Sequence, residues 1–288
     1  MTNILITGAN GQLGSELRRL AKDYPQFKFY YTDIENLDLT DFNAVETYIN
    51  IIPLKYIINC AAYTAVDKAE NDIEMARKIN VDAVSNLSKL ALKSEIGFIH
   101  ISTDYVFDSS KQNVPFKETD KALTISAYGK TKLMGEEEAK KAGNFIIIRT
   151  SWLYSSFGNN FVKTILRLGK ERTELGVVFD QTGTPCYAAD LANSILKIIE
   201  FTEHSGEFKS GIYHYSNEGV CSWYDFAIEI VKKAGLTCKI KPIETKDYPL
   251  PAKRPAYSVL NKSKIKESFS LDIPYWIDSL DRCLKELL

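Results

Sequence analysis

The chain has 288 residues, 45% of them hydrophobic and 25% charged, with a formal net charge of −1. That length supports a substantial core in one large domain or two unequal ones, and the near-neutral charge excludes the basic footprint of a nucleic-acid or anionic-membrane binder. No apolar run approaches the ~20 residues that span a bilayer, and no basic region precedes the first apolar run as in a signal peptide. Cys60, Cys186, Cys221, Cys238 and Cys283 are odd in number, scattered and never spaced C-x-x-C, as expected of unpaired thiols in a reducing compartment. A cytoplasmic protein with no membrane and no nucleic-acid partner is expected.

Ile4-Leu5-Ile6-Thr7-Gly8-Ala9-Asn10-Gly11-Gln12-Leu13-Gly14 runs from branched apolar residues into three glycines at spacing three, and Leu13, Leu17 and Leu20 then recur at helical spacing. The stretch reads as strand, glycine turn and helix. In such a turn Gly8 takes the tight bend, Gly11 lets the backbone approach a pyrophosphate, Gly14 allows close packing, and the helix N-terminus attracts the anion. Residues 27–32 form a second strand ending at Asp33, about 20 residues beyond the turn, where a carboxylate can accept both hydroxyls of an adenosine ribose and would repel a 2′-phosphate. Asp38 can lie near the adenine, and Thr40 or Asp41 caps a helix over 42–51.

A third strand, 56–62, ends in the small residues Cys60, Ala61 and Ala62, which leave room for a ligand. A loop over 63–70, a long helix over 72–93 and a fourth strand over 98–103 follow. The region 108–123 is polar and reads as a surface loop reaching over the sheet edge. A helix over 126–141 carries Tyr128 and Lys132, and 145–150 forms a fifth strand. This rhythm predicts an α/β fold, a doubly wound parallel sheet of Rossmann type. Beyond Trp152 the rhythm loosens, with helices expected over 159–169 and 188–200 and strands over 177–179 and 212–215. We therefore expect a dinucleotide-binding domain over 1–150 and a smaller C-terminal α/β substrate lobe over 151–288, partly interleaved with the first.

Tyr128 and Lys132 stand four residues apart, on one helix face. An ammonium there is expected to lower the phenol's pKa, so that Tyr128 exchanges a proton with a carbonyl or alcohol nearer neutral pH, while Lys132 holds a nicotinamide ribose. Thr103, at the end of the fourth strand, can orient the substrate oxygen. A tyrosine and lysine at this spacing are commonly a surface pair. The conjunction with the glycine turn, Asp33 and Thr103 at one sheet edge is what points to an NADH- or NADPH-dependent reductase.

These motifs resemble the extended short-chain dehydrogenase/reductase superfamily acting on nucleotide sugars and, within it, the dTDP-4-dehydrorhamnose reductases. The resemblance rests on 8–14, on Asn59-Cys60-Ala61-Ala62-Tyr63-Thr64-Ala65-Val66-Asp67-Lys68-Ala69-Glu70, on Ser102-Thr103-Asp104-Tyr105-Val106-Phe107, and on 128–132, 149–152, 158–161 and Arg254-Pro255. It implies reduction of the C4 keto group of dTDP-4-dehydro-L-rhamnose to dTDP-L-rhamnose, a step of cell-surface polysaccharide synthesis, with Tyr128 as proton donor and Lys132 as its partner. It also implies Gly11, Gln12 and Leu13 against the pyrophosphate, Asp33 on the ribose, Asp38 and Leu39 by the adenine, and Ala62, Tyr63 and Thr64 along the nicotinamide half. Thr103, Asp104 and Trp152 would meet the sugar, although a tryptophan can equally be core. Arg254, with Lys253 beside it, would meet the diphosphate of a dTDP-linked keto-deoxysugar, or else lie in a solvated loop.

Some relatives are dimers joined through magnesium, bound in part by an acidic residue where Glu16 stands here. By resemblance alone Mg2+ and a homodimer are open beside a metal-free monomer; Glu16 is equally explained by the helix dipole. His100, His204 and His214 read as structural. The same superfamily contains epimerases and dehydratases, for which Asp104 supplies an acid after the threonine, and a non-catalytic regulatory subunit, the β subunit of methionine adenosyltransferase.

Overall fold

The computed structural model describes residues 1–107 and 113–288. In chain order it has β1 (Thr2–Thr7), α1 (Gln12–Leu20), β2 (Phe27–Thr32), α2 (Phe42–Asn50), β3 (Tyr56–Asn59), α3 (Val66–Ala69), α4 (Ile73–Arg77), α5 (Ala83–Lys93), β4 (Gly97–Thr103), α6 (Ala127–Ala139) and β5 (Phe145–Thr150). There follow β6 (Leu153–Tyr154), α7 (Phe161–Glu171), β7 (Glu174–Val178), β8 (Thr182–Gly183), β9 (Cys186–Tyr187), α8 (Ala188–Ser205), β10 (Gly211–His214), β11 (Cys221–Ser222), α9 (Trp223–Lys233), β12 (Lys239–Ile243), α10 (Ser263–Phe269) and α11 (Trp276–Leu287).

Six strands form one parallel sheet in the order β10-β5-β4-β3-β1-β2. Its central strands are buried on both faces, which is why Ile4-Leu5-Ile6 and Ile146-Ile147-Ile148 read as continuous apolar runs rather than alternating ones. One face packs Leu13 and Leu17 of α1, Leu191, Ile195 and Ile199 of α8, and Ile265 and Phe269 of α10. The other packs Val45 and Ile49 of α2, Val84, Leu87 and Leu90 of α5, and Ala139 of α6. A second core joins α7, β7, α9, β12 and α11. No helix among the described residues is long and apolar enough to cross a membrane.

Three departures from the sequence reading bear on the site. The helix expected over 72–93 is interrupted: α4 and α5 are joined by a π-helical turn over Lys78–Asp82. There the buried Asn80 turns its amide onto the backbone of Tyr63, at 2.9 Å to N–H and 3.2 Å to C=O, and onto the Thr131 hydroxyl at 3.1 Å. Such single wide turns often mark functional sites. Secondly, the strand expected over 212–215 is the sixth strand of the large sheet, paired with β5. Thirdly, of the loop expected over 108–123, residues 108–112 lie outside the described residues. The remainder is pinned: Phe116 is buried, stacks on Phe107 with centroids 4.2 Å apart, and exchanges backbone hydrogen bonds with Val259 and Asn261.

Candidate active site

All the parallel strands end at one edge, where ligands of open α/β sheets bind, and a cleft of about 750 Å³ opens there. It is lined by Gly8, Gly11, Gln12, Leu13 and Gly14, by Asp33, Asp38, Leu39, Ala62 and Thr64, and by Thr103, Asp104, Tyr128, Lys132 and Trp152. The glycine turn is built for close approach. Gly8 has φ +63°, and a Cβ at Gly14 would lie 2.5 Å from Ala9 Cα and the Gly8 carbonyl oxygen. Gly11 precedes α1 without any side-chain cap, so the helix's first N–H groups are left to an anion. These residues fit a dinucleotide pyrophosphate. The Asp33 carboxylate accepts the Asn10 and Ile34 backbone N–H groups at 2.7 and 2.8 Å, and Asp38 accepts that of Thr40 at 2.8 Å, which lowers the Asp38 carboxyl.

Thr103 ends β4 and its hydroxyl accepts Tyr105 N–H at 3.2 Å while donating to Asp104 Oδ1 at 3.1 Å. Tyr128 lies in the first turn of α6, whose start is held by the Ser126 hydroxyl on Gly129 N–H at 3.1 Å and by Glu70 on Ala127 N–H at 2.9 Å. Tyr105 meets the Tyr128 ring edge-on, with centroids 5.5 Å apart. One turn further, Lys132 is buried and donates to the Ile101 carbonyl at 2.7 Å. Beneath them Glu136 and Arg149 form a buried ion pair, with Nη2 2.7 Å and Nε 2.9 Å from the carboxylate oxygens, and Ser102 donates to the same carboxylate.

The titration of this cluster corrects the sequence expectation. Burial pushes Tyr128 up to about 12, against a lowering hydrogen bond with Thr103 and with Asp104 adding to the rise. The phenol is therefore a proton carrier at neutral pH, and Lys132 does not depress it in this structure, because its ammonium faces the Ile101 carbonyl and His100 instead. Burial pushes Lys132 itself down to about 8, with Glu136 opposing. Burial also raises Asp104 to about 6, although the Ser258 and Thr103 hydroxyls pull it down.

Trp152 adopts φ +45°, rare for a bulky side chain. Its ring lines the cleft and stacks on Trp223, with centroids 3.7 Å apart and planes 11° apart. It is neither wholly core nor free.

Two expected residues stand elsewhere. Tyr63 is not among the residues that line the cleft and has its hydroxyl on Asp72 at 3.1 Å. Arg254 is clamped on Asp67 by two hydrogen bonds of 2.9 and 2.7 Å, and Asp67 also accepts Ala252 N–H. The guanidinium is thus half-buried and ion-paired, and Arg254 is not among the residues that line the cleft.

The residues present do not fit magnesium at Glu16. That carboxylate is buried, accepts the Ser155 hydroxyl at 2.6 Å and pairs with Arg19 at 2.7 Å, and Arg19 also pairs with Glu286. The Arg19 guanidinium already supplies that carboxylate with its counter-charge, and among the described residues no group of three potential metal ligands is found. Tyr105, Ser151 and Asn159, which belong to the motifs carrying the resemblance but had no site role expected of them, also line the cleft, as does Trp223, which was not singled out from sequence. The run Ser222-Trp223-Tyr224-Asp225 did carry a local signal, because Ser222 and Asp225 form a capping box that presents Trp223 at a helix start.

A family model described as the RmlD substrate binding domain matches residues 1–288. The dTDP-4-dehydrorhamnose reductase of Aggregatibacter actinomycetemcomitans is 41% identical, covering 100% of this chain and 98% of that protein. A crystal structure of a dTDP-4-dehydrorhamnose reductase from Clostridium acetobutylicum is 43% identical with a TM-score of 0.93, covering 99% of both chains. That of the Bacillus anthracis enzyme in complex with NADP is 38% identical, also with a TM-score of 0.93, covering 99% of this chain and 100% of that one. Over its whole length, then, the chain belongs to the RmlD substrate-binding-domain family and resembles dTDP-4-dehydrorhamnose reductases in both sequence and fold.

Proposed function

We propose that the protein is an NAD(P)H-dependent oxidoreductase that reduces the C4 keto group of dTDP-4-dehydro-L-rhamnose to dTDP-L-rhamnose. The observation that carries this reading is a single cleft in which an uncapped glycine-turn helix faces a buried, protonated phenol beside a hydroxyl and an ammonium. The relatives' names supply the sugar nucleotide, and the NADP complex of one of them makes NADPH a candidate beside NADH. A bound reduced nicotinamide supplies the hydride that C4 receives. Thr103 orients the keto oxygen by hydrogen bonding, and Tyr128 donates its phenolic proton to the alkoxide as it forms. Lys132, one turn of α6 from Tyr128, holds the nicotinamide ribose. Gly11, Gln12 and Leu13 receive the pyrophosphate, Asp33 the adenosine ribose, and Asp38 and Leu39 the adenine. Ala62 and Thr64 flank the nicotinamide half. Asp104 and Trp152 contact the hexose. Arg254 is within this reading only if substrate draws it from Asp67 to the diphosphate. On function, we divide the chain near residue 150, although α8 and β10 belong to the first core.

One observation favours a second reading. Asp104, raised to about 6 beside Thr103, is a plausible acid for a dehydratase. An assay that generates the keto-sugar in place and offers NADH and NADPH in turn separates the two, since reduction consumes cofactor one-for-one and dehydration returns it. Tyr128→Phe should fold, bind NADPH and lose about 10²–10⁴-fold in turnover, the usual contribution of a general acid; near-wild-type turnover sinks its role. No turnover on any nucleotide keto-sugar, with co-purification of a protein partner, favours a regulatory subunit instead.

A further inference from the structure

His100 sits on β4, fully buried, one residue before the carbonyl that receives Lys132. Its Nε2 lies 3.4 Å from Lys132 Nζ, and its Nδ1 lies 3.1 Å from the Asn59 side-chain amide. The other end of that amide is 2.7 Å from the Thr7 hydroxyl, at the last residue of β1 before the glycine turn. A continuous buried line thus joins Thr7, Asn59, His100 and Lys132 across three neighbouring strands and onto the helix that carries Tyr128.

The hydrogens on this line follow from donor and acceptor counting. Burial and the neighbouring ammonium keep the imidazole neutral, so it has one N–H and one lone pair. An ammonium only donates, which requires the lone pair on Nε2 and the proton on Nδ1. The Nδ1 proton needs an acceptor. A half-turn of the Asn59 amide, which leaves the heavy-atom positions unchanged, supplies the carbonyl oxygen there and lets the amide N–H group donate to Thr7. The opposite tautomer would set two donors facing each other across the His100–Lys132 contact.

We propose that His100 is a positioning residue for the reduction: as the Nδ1–H tautomer, anchored by Asn59 and Thr7, it accepts a hydrogen bond from Lys132 and fixes that ammonium at the cleft, one helical turn from Tyr128. This rests on the functional reading above. With the Ile101 carbonyl taking a second proton, the ammonium keeps one donor for a ligand of the cleft that Lys132 lines. The groups facing Lys132 are His100 and the Ile101 carbonyl from β4, Cys60 beyond β3, and Glu136 from its own helix, the last paired with Arg149 of β5. Among these groups His100 is the hydrogen-bonded neutral side-chain acceptor, and a single substitution removes it without unbalancing a buried charge pair.

The test combines a spectroscopic and a kinetic measurement. In uniformly 15N-labelled protein with NADPH bound, the three histidines are assigned by single substitution, and His100 should show a protonated Nδ1 and an unprotonated Nε2 from pH 6 to 9. A protonated Nε2 overturns the proposal. His100→Leu should weaken NADPH binding and lower kcat/KM by about ten- to a hundredfold, the scale of a hydrogen bond to a charged group. It should also move the alkaline limb of the pH profile to lower pH, because a buried ammonium short of an acceptor loses its proton sooner. His100→Gln, which restores an acceptor, should recover most of the loss and guards against misfolding of the leucine variant. A folded His100→Leu protein with wild-type NADPH affinity and pH profile overturns the proposal. A wild-type protein inactive on the keto-sugar would instead overturn the functional reading, with the tautomer and the NADPH affinity still deciding this one.

Discussion

Asp104→Asn tests whether the cleft holds a carboxylate at an energetic cost. Asp104 is 2% exposed, and burial raises its carboxyl from 3.8 to about 6. The folded state therefore binds the proton more tightly than the unfolded chain. Between pH 3.8 and 6 the folded state carries more protons, so stability falls as pH rises through that window. Above it the full cost is present. A shift of about two units corresponds to about 3 kcal/mol. Asparagine carries no charge and keeps an oxygen that can accept the Thr103 hydroxyl, so the variant should escape this cost at pH 8 and gain nothing from it at pH 4. For a chain of this size the gain at pH 8 is on the order of 5–10 °C in Tm. Urea unfolding of both proteins at pH 4.5 and 8 gives the quantity that matters, the difference between the two stability differences. An Asn-minus-Asp difference that is equal at both pH values, or larger at acid pH, refutes the reasoning. A stabilised variant with reduced turnover would mark Asp104 as a residue kept for chemistry.

Glu136→Gln leaves the Arg149 guanidinium buried without its counter-charge, and thermal melts should show a loss of about 3–5 kcal/mol, on the order of 10 °C; a shift within 2 °C counts against a fully formed pair. Trp223→Ala removes the ring that stacks on Trp152 and supports its left-handed backbone. We expect KM for the sugar nucleotide to rise about tenfold, the worth of one aromatic stack, with NADPH affinity, read by nicotinamide fluorescence, little changed. Gly14→Ala places a Cβ against backbone atoms of the glycine turn, which must shift, so NADPH should bind at least about tenfold more weakly while the sheet still forms; unchanged affinity contradicts the cradle.

Much of the fold was legible because it is written in short-range periodicity. The second and fifth strands fall where the apolar runs of 27–32 and 145–150 place them, and the glycine turn is read from spacing alone, since only a small residue tolerates the approaches at Gly8 and Gly14. The gathering of Thr103, Tyr128 and Lys132 followed from topology, because parallel strands must end at one edge. The π turn at Asn80 was not legible. Its cause is a side chain reaching the backbone of Tyr63 and the hydroxyl of Thr131, and neither contact leaves a periodic trace.

By itself, then, the sequence determined a parallel sheet of Rossmann type, its glycine turn and the tyrosine–lysine face of one helix, since backbone propensity and turn chemistry act within a few residues. Tertiary structure alone decided what those groups experience. It clamps Arg254 on Asp67, 187 positions away, puts the Tyr63 hydroxyl on Asp72, stacks Trp223 on Trp152, and pairs Arg19 with Glu16. It also reversed the expected shift of Tyr128, because desolvation depends on everything packed around a group and the one neighbour that spacing could name, Lys132, bonds the Ile101 carbonyl instead.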